Sequence, residues 1–165
     1  MDRSHHARHL YRDWDSQQIS DEILARRLIG VWVHTENPQR VLSQPKWLEL
    51  FRATGFLSDY GAAPPSEPIE VWRSQIGSRY GMSWTRSEEV ARWFHDHKHR
   101  PYQPKQSVLL RSFVEPRGVL ALIQKSRVPL KVVEGRIERV AGGKGEDEVV
   151  VDPSFLRRPV LRVEH

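Results

Sequence analysis

Apolar residues recur at helical spacing through the first sixty positions and at strand spacing after Pro68, so the chain reads as helices followed by a sheet. The stretch "SDEILARRLIG" predicts a helix with Ser20 as its N-cap. Asp21 and Glu22 fall in its first turn, where the helix dipole favours anions, Ile23, Leu24 and Leu28 form one stripe, and Gly30 is the expected stop. "SQPKWLELFRATG" repeats the design, with Ser43 as cap, Pro45 in the first turn, Trp47, Leu50 and Phe51 on one face, and Gly55 as the stop. Residues 58–68, "SDYGAAPPSEP", are rich in turn formers and read as a connector. "IEVWRS" then reads as a strand in which Ile69, Val71 and Arg73 share a face, so an apolar row ends on a guanidinium at the strand's C-terminal edge. "TRSEEVARWFHDH" reads as a helix with Thr85 and Glu88 as a capping box and Val90, Trp93 and Phe94 as its buried side. "SVLLRSFV", "GVLALI", "PLKVV" and "EVVV" are further strands, and "LRRPVLRV" offers a last one. The expected class is α+β, with helices first and a mostly antiparallel sheet after them.

Composition narrows the function classes. A chain of 165 residues fits one domain with a real core, and 28% charged residues beside 38% hydrophobic ones describe a globular protein with a polar surface. No apolar run approaches the roughly 18 residues that a membrane-spanning helix needs, and "MDRSHHARHLYRDWDSQQ" has no apolar segment of the secretory kind. The expectation is a cytoplasmic protein without a membrane partner, and a monomer, since nothing in the pattern signals an oligomer. The absence of cysteine excludes disulfides, thiolate zinc sites and cysteine nucleophiles. A net charge of +5 favours anions, whether a nucleotide phosphate, a nucleic acid or an acidic partner, although on charge alone a solvated basic surface is the better account.

Three short motifs carry chemistry. Arg73 at a strand edge presents a planar fork of donors matched to phosphate or carboxylate oxygens. Ser83 and Thr85, two apart on an extended segment, point their hydroxyls the same way and are placed to orient a carboxylate or a ribose hydroxyl. Glu146 and Glu148 are also two apart, at the mouth of "EVVV", where alternation sets both on one face with Asp147 turned away. The histidines give a weaker pattern: of His95, His97 and His99, only the first and last share a helical face, and no third ligand accompanies them, so no metal site is expected. No P-loop, Ser-His-Asp order or G-x-G-x-x-G is present.

In this order, Arg73 in "VWRSQ", Ser83-Trp84-Thr85, and "EDE" at 146–148, the motifs resemble the arginine–serine–glutamate branch of the ADP-ribosyltransferase family, to which the cholera-type toxins belong. "GMSWTRSEEVARWF" looks like the matching segment of uncharacterised bacterial and phage proteins assigned to that fold. The resemblance covers residues 69–153 and leaves residues 1–60 outside it. It implies a split antiparallel sheet core, NAD as the substrate, no metal, and transfer of ADP-ribose to a protein or nucleic-acid acceptor, often an arginine side chain in members with two glutamates. By the same resemblance Arg73 would hold the NAD phosphates and adjacent ribose, and Ser83 would position Glu148 while Thr85 steadies that corner. Glu148 would bind the nicotinamide ribose and stabilise the oxocarbenium-like charge, and Glu146 would orient or deprotonate the acceptor. Tyr80 and Trp84 are stacking positions for nicotinamide, and Val140–Gly145 occupies the place of an acceptor-recognition loop. Two departures stand out: Trp84 fills a position that is smaller in the toxins, either bracing the nicotinamide pocket or packing in the core, and Ser74 follows Arg73 where many relatives carry glycine or alanine. Two readings outside the enzyme class remain, an inactive transferase fold that binds a nucleotide or partner, and a basic nucleic-acid binder using "HDHKHRPYQPKQ".

Overall fold

The computed structural model describes residues 4–125, 130–133, 136–139 and 147–163. Four helices come first: α1 (Ser4–Asp15), α2 (Asp21–His34), the single turn α3 (Pro38–Val41) and α4 (Gln44–Thr54). Ser20 caps α2 by accepting from the Ile23 amide, as its sequence predicts. Gly30 does not end that helix. A glycine in a helix interior costs about 1 kcal/mol relative to alanine, and burial of Trp32 and Val33 in the turn beyond it outweighs that cost. The exposed member of the predicted stripe is Ile23, whereas Leu24 and Leu28 are buried. α4 keeps its predicted face of Trp47, Leu50 and Phe51 and ends at Gly55, whose φ of 70° suits glycine; Ser43 stands at its N-cap without a side-chain hydrogen bond.

Among the described residues nine strands follow: β1 (Leu57–Ser58), β2 (Ile69–Ile76), β3 (Ser83–Thr85), β4 (Ser107–Val114), β5 (Val119–Ile123), β6 (Leu130–Val133), β7 (Arg136–Arg139), β8 (Glu148–Val151) and β9 (Leu161–Arg162). Seven form one sheet in the order β1-β5-β8-β3-β2-β4-β9, and β6 and β7 pair separately as an antiparallel hairpin. All neighbours in the large sheet are antiparallel except β1 and β5, so the sheet is mixed and the class is α+β. Its two halves are joined narrowly. β2 pairs with β4 along its whole length, from Ile69↔Val114 to Ile76↔Ser107, whereas β2 and β3 share the single registered pair Trp72↔Thr85.

Between β3 and β4 lies α5 (Glu88–Phe94), continued by a π-helical turn, His95–His99. The predicted capping box gives way here. Thr85 is committed to β3, and Ser87 is the N-cap, accepting from the Val90 amide at 3.2 Å, while the Thr85 hydroxyl accepts from the Ser87 amide. Strand pairing on both sides of Thr85 fixes its backbone as extended, so the helix begins two residues later than the motif implies.

The helices pack on one face of the sheet. Leu24, Leu28, Trp32, Trp47, Leu50 and Phe51 form one core with Met82, Ala121, Ile123 and Val150 of the sheet side. Val71, Trp84, Leu110, Leu122, Val149 and Val151 form a second cluster on the other face. Asp152, just past β8, ties the end of that strand to α4 through Arg52. Burial alone would raise its carboxyl, but bonds from Ser154 and from Arg52 outweigh this and hold it below the usual carboxylate range.

Candidate functional site

The sheet order sets the three chemical motifs on adjacent strands. β8 begins at Glu148, β3 carries Ser83 and Thr85, and β2 carries Arg73, in the sequence β8-β3-β2 across the sheet. Antiparallel register opposes Thr85 to Glu148 and Ser83 to Val150, so Ser83, Thr85 and Glu148 share the face covered by the N-terminal helices. On that face the Ser83 hydroxyl donates to Glu148 Oε2. The same oxygen accepts the indole N–H of Trp32 from α2 at 2.9 Å. Glu148 is only 2% exposed, and a carboxylate buried so deeply requires donors of this kind.

Arg73 reaches this group through the backbone. It lies one residue beyond the Trp72↔Thr85 pair and so on the alternate face from Ser83, opposite Leu110. Its guanidinium donates from Nη1 to the Ser83 carbonyl at 2.6 Å and from Nε to Gln75 Oε1 at 2.9 Å. Ser83 is therefore a hub: its carbonyl receives the arginine and its hydroxyl serves the carboxylate. Buried Gln75 shapes the surrounding turn, donating to the Gly77 and Arg79 carbonyls at 3.0 Å each and accepting from the Gly81 amide at 3.3 Å. Gly81 makes room for the fork, because a Cβ there would lie 2.2 Å from Arg73 Nη2.

On the other side of Arg73 sits a cluster that spacing did not predict. Ser74 Oγ lies 3.2 Å from His95 Nδ1 and 2.7 Å from His99 Nδ1. A hydroxyl carries one proton and can donate to only one of the two rings, so the other imidazole must present Nδ1–H to the serine oxygen. The π-helical turn brings both rings onto one residue, and such turns are frequent at functional sites. Burial, then the charge of Arg73, then His95 push His99 down to about 4, so it is a neutral base across the physiological range. His97 points elsewhere and stacks on Trp93. Among the described residues no group of three or more potential metal ligands occurs.

The remaining sequence candidates separate. Trp84 is 2% exposed in the second core cluster and donates to the Gly81 carbonyl at 2.8 Å, so it packs rather than lining an open pocket. Tyr80 is half-buried, and the Arg158 guanidinium lies 4.6 Å from its ring centre. Glu146 and the Val140–Gly145 loop lie outside the described residues. Simple alternation does not carry from Glu148 back to Glu146, because Asp147 between them has a φ of 48° rather than an extended backbone, and its carboxylate pairs with Arg86 at 2.7 Å.

No family model, curated protein or solved structure matches the chain. The functional reading therefore rests on the site itself. Trp32, Gln75, Gly81 and the His95–Ser74–His99 cluster are the members that spacing missed. Trp32 had one legible signal, an indole N–H in an apolar stripe, which needs a partner when buried. The others depend on contacts made only in three dimensions.

Proposed function

We propose that the protein is an NAD-dependent ADP-ribosyltransferase. The observation that carries this reading is the Ser83 hydroxyl bonded to Glu148 on the neighbouring strand, with Arg73 bonded to the same serine from the next strand over. NAD cleavage breaks the bond between the nicotinamide nitrogen and ribose C1′, and positive charge develops on the ribose as nicotinamide leaves. A carboxylate held in advance beside that charge lowers the barrier without reorganising during the reaction. Glu148 is that carboxylate, Ser83 fixes it, and the Arg73 fork takes the phosphates. Thr85 steadies the corner, and Glu146 serves the acceptor, a protein or nucleic-acid group. The test is incubation with adenosine-labelled NAD and a cell lysate, following nicotinamide release together with label on protein and nucleic acid. Release with transfer is the expected result, and neither release nor label under any acceptor condition contradicts it.

One observation favours a second reading. Glu148 is almost wholly buried, which suits a carboxylate that holds a fold or a nucleotide-binding cleft together. On that reading NAD binds with Arg73-dependent affinity and is never cleaved.

A further inference from the structure

We infer that Trp32, from the N-terminal helices, is a positioning residue for the Glu148 carboxylate, so that residues 1–60 complete the site rather than merely precede it. The inference rests on the transferase reading for its kinetic consequence and on geometry alone for its structural one. Trp32 and Glu148 are 116 positions apart in sequence, yet the indole N–H meets Oε2 at 2.9 Å in a fully buried setting. The oxygen it meets is the one that accepts the Ser83 hydroxyl. Two neutral donors from different layers of the fold, the sheet and the helices, thus converge on one atom and define the direction of the carboxyl plane.

The indole is itself held rigidly. Its ring packs edge-on against Trp47, with centres 4.9 Å apart and planes at 88°, and against Phe51 at 5.5 Å and 83°. Trp47 is pinned in turn by donating to the Pro38 carbonyl at 2.8 Å. An N–H borne by a ring so confined cannot rotate away with its acceptor as a hydroxyl does. Ser83 alone is a rotor on a short strand; Trp32 supplies the fixed reference. A bond to a charged acceptor is commonly worth about one to two powers of ten in an equilibrium or rate, which sets the expected effect.

The test replaces the donor without emptying the core. Trp32→Phe removes the N–H and keeps an aromatic ring, and Trp32→benzothienylalanine keeps the bicyclic shape with sulfur in place of N–H, which covers the case in which the phenylalanine variant fails to fold. Kinetics on NAD are measured for both beside wild type. The inference predicts that kcat falls roughly tenfold or more while KM for NAD stays within about twofold, because the carboxylate is misaligned and the phosphate contacts are not. An unchanged kcat in a folded benzothienylalanine variant overturns it, since a purely structural indole would alter thermal stability alone. Independently of any activity, three-bond couplings of ¹³C-labelled Glu148 report its side-chain rotamers. A single rotamer in wild type that becomes averaged in the benzothienylalanine variant supports the inference, and a single rotamer in both overturns it. If wild type shows no NAD cleavage, the transferase reading fails and the couplings still decide the role of Trp32.

Discussion

At the scale of single residues, the site is organised by groups that satisfy one another. Ser83 joins Arg73 to Glu148 through its two oxygens, and Gln75 bends the 77–81 turn around the guanidinium. Gly81 is where this arrangement is most exposed to a small change. Its backbone accommodates alanine, but the new methyl would strike the end of Arg73, a flexible side chain that can move aside. Gly81→Ala should therefore cost about 1–3 kcal/mol in stability, because the side chain can move aside but gives up its charged bonds to Ser83 and Gln75 when it does. The fork would be displaced from Ser83, and affinity for NAD should fall by roughly tenfold or more, read by calorimetric titration beside a thermal melt. Arg73, Ser83 and Glu148 were legible in the sequence as a guanidinium ending an apolar row, a member of a hydroxyl pair and a carboxylate opening a strand, but β2 runs on to Ile76 in full register with β4, so Arg73 lies within the strand rather than at its C-terminal edge. Gln75 and Gly81 were not, because an amide and a glycine acquire a role only once the turn folds back on Arg73.

At the scale of elements, the π-helical turn after α5 presses His95 and His99 onto Ser74 of β2. Sequence periodicity placed a helix here and set His95 and His99 on one of its faces with no metal expected, but it could not foresee a widened turn that brings both to one hydroxyl. The pH dependence of stability follows from His99. Its ordinary value is 6.5 and the folded protein lowers it to about 4 through burial, Arg73 and His95. Between these values the unfolded chain binds a proton that the folded chain refuses, so this contribution is fully present above 6.5 and is lost as pH falls toward 4. His99→Gln, which keeps a polar partner for Ser74, should flatten the decline of the unfolding midpoint across that window relative to wild type. Parallel curves for the two proteins would contradict the assignment. The capping error at α5 has a related cause: Thr85 and Ser87 are equally good caps by type, and the pairing of Thr85 with both Trp72 and Glu148 decides between them.

At the scale of the whole molecule, the helical and sheet parts share one core. Trp32, Trp47 and Phe51 pack with Met82, Ile123 and Val150, so the chemistry-bearing face of β3 and β8 is roofed by the N-terminal helices. Removing residues 1–56 would leave that apolar face uncovered, and the remaining chain should show no cooperative unfolding; a soluble, cooperatively melting 57–165 fragment would contradict this. The existence of α2 and α4 was plain from their stripes, whereas α1 and α3 went unmarked and the docking of the helices over Glu148 could not be read, since an apolar stripe does not name the surface it covers. In the proposed reaction Glu148, so roofed and so held, stabilises the charge of NAD cleavage. The most direct measurement is nicotinamide release by purified wild-type protein and by Glu148→Gln, with matched thermal melts. Release by wild type and its loss by a factor of about a hundred or more in the variant, with both folded, is the predicted result. Equal release by the two proteins would contradict the claim.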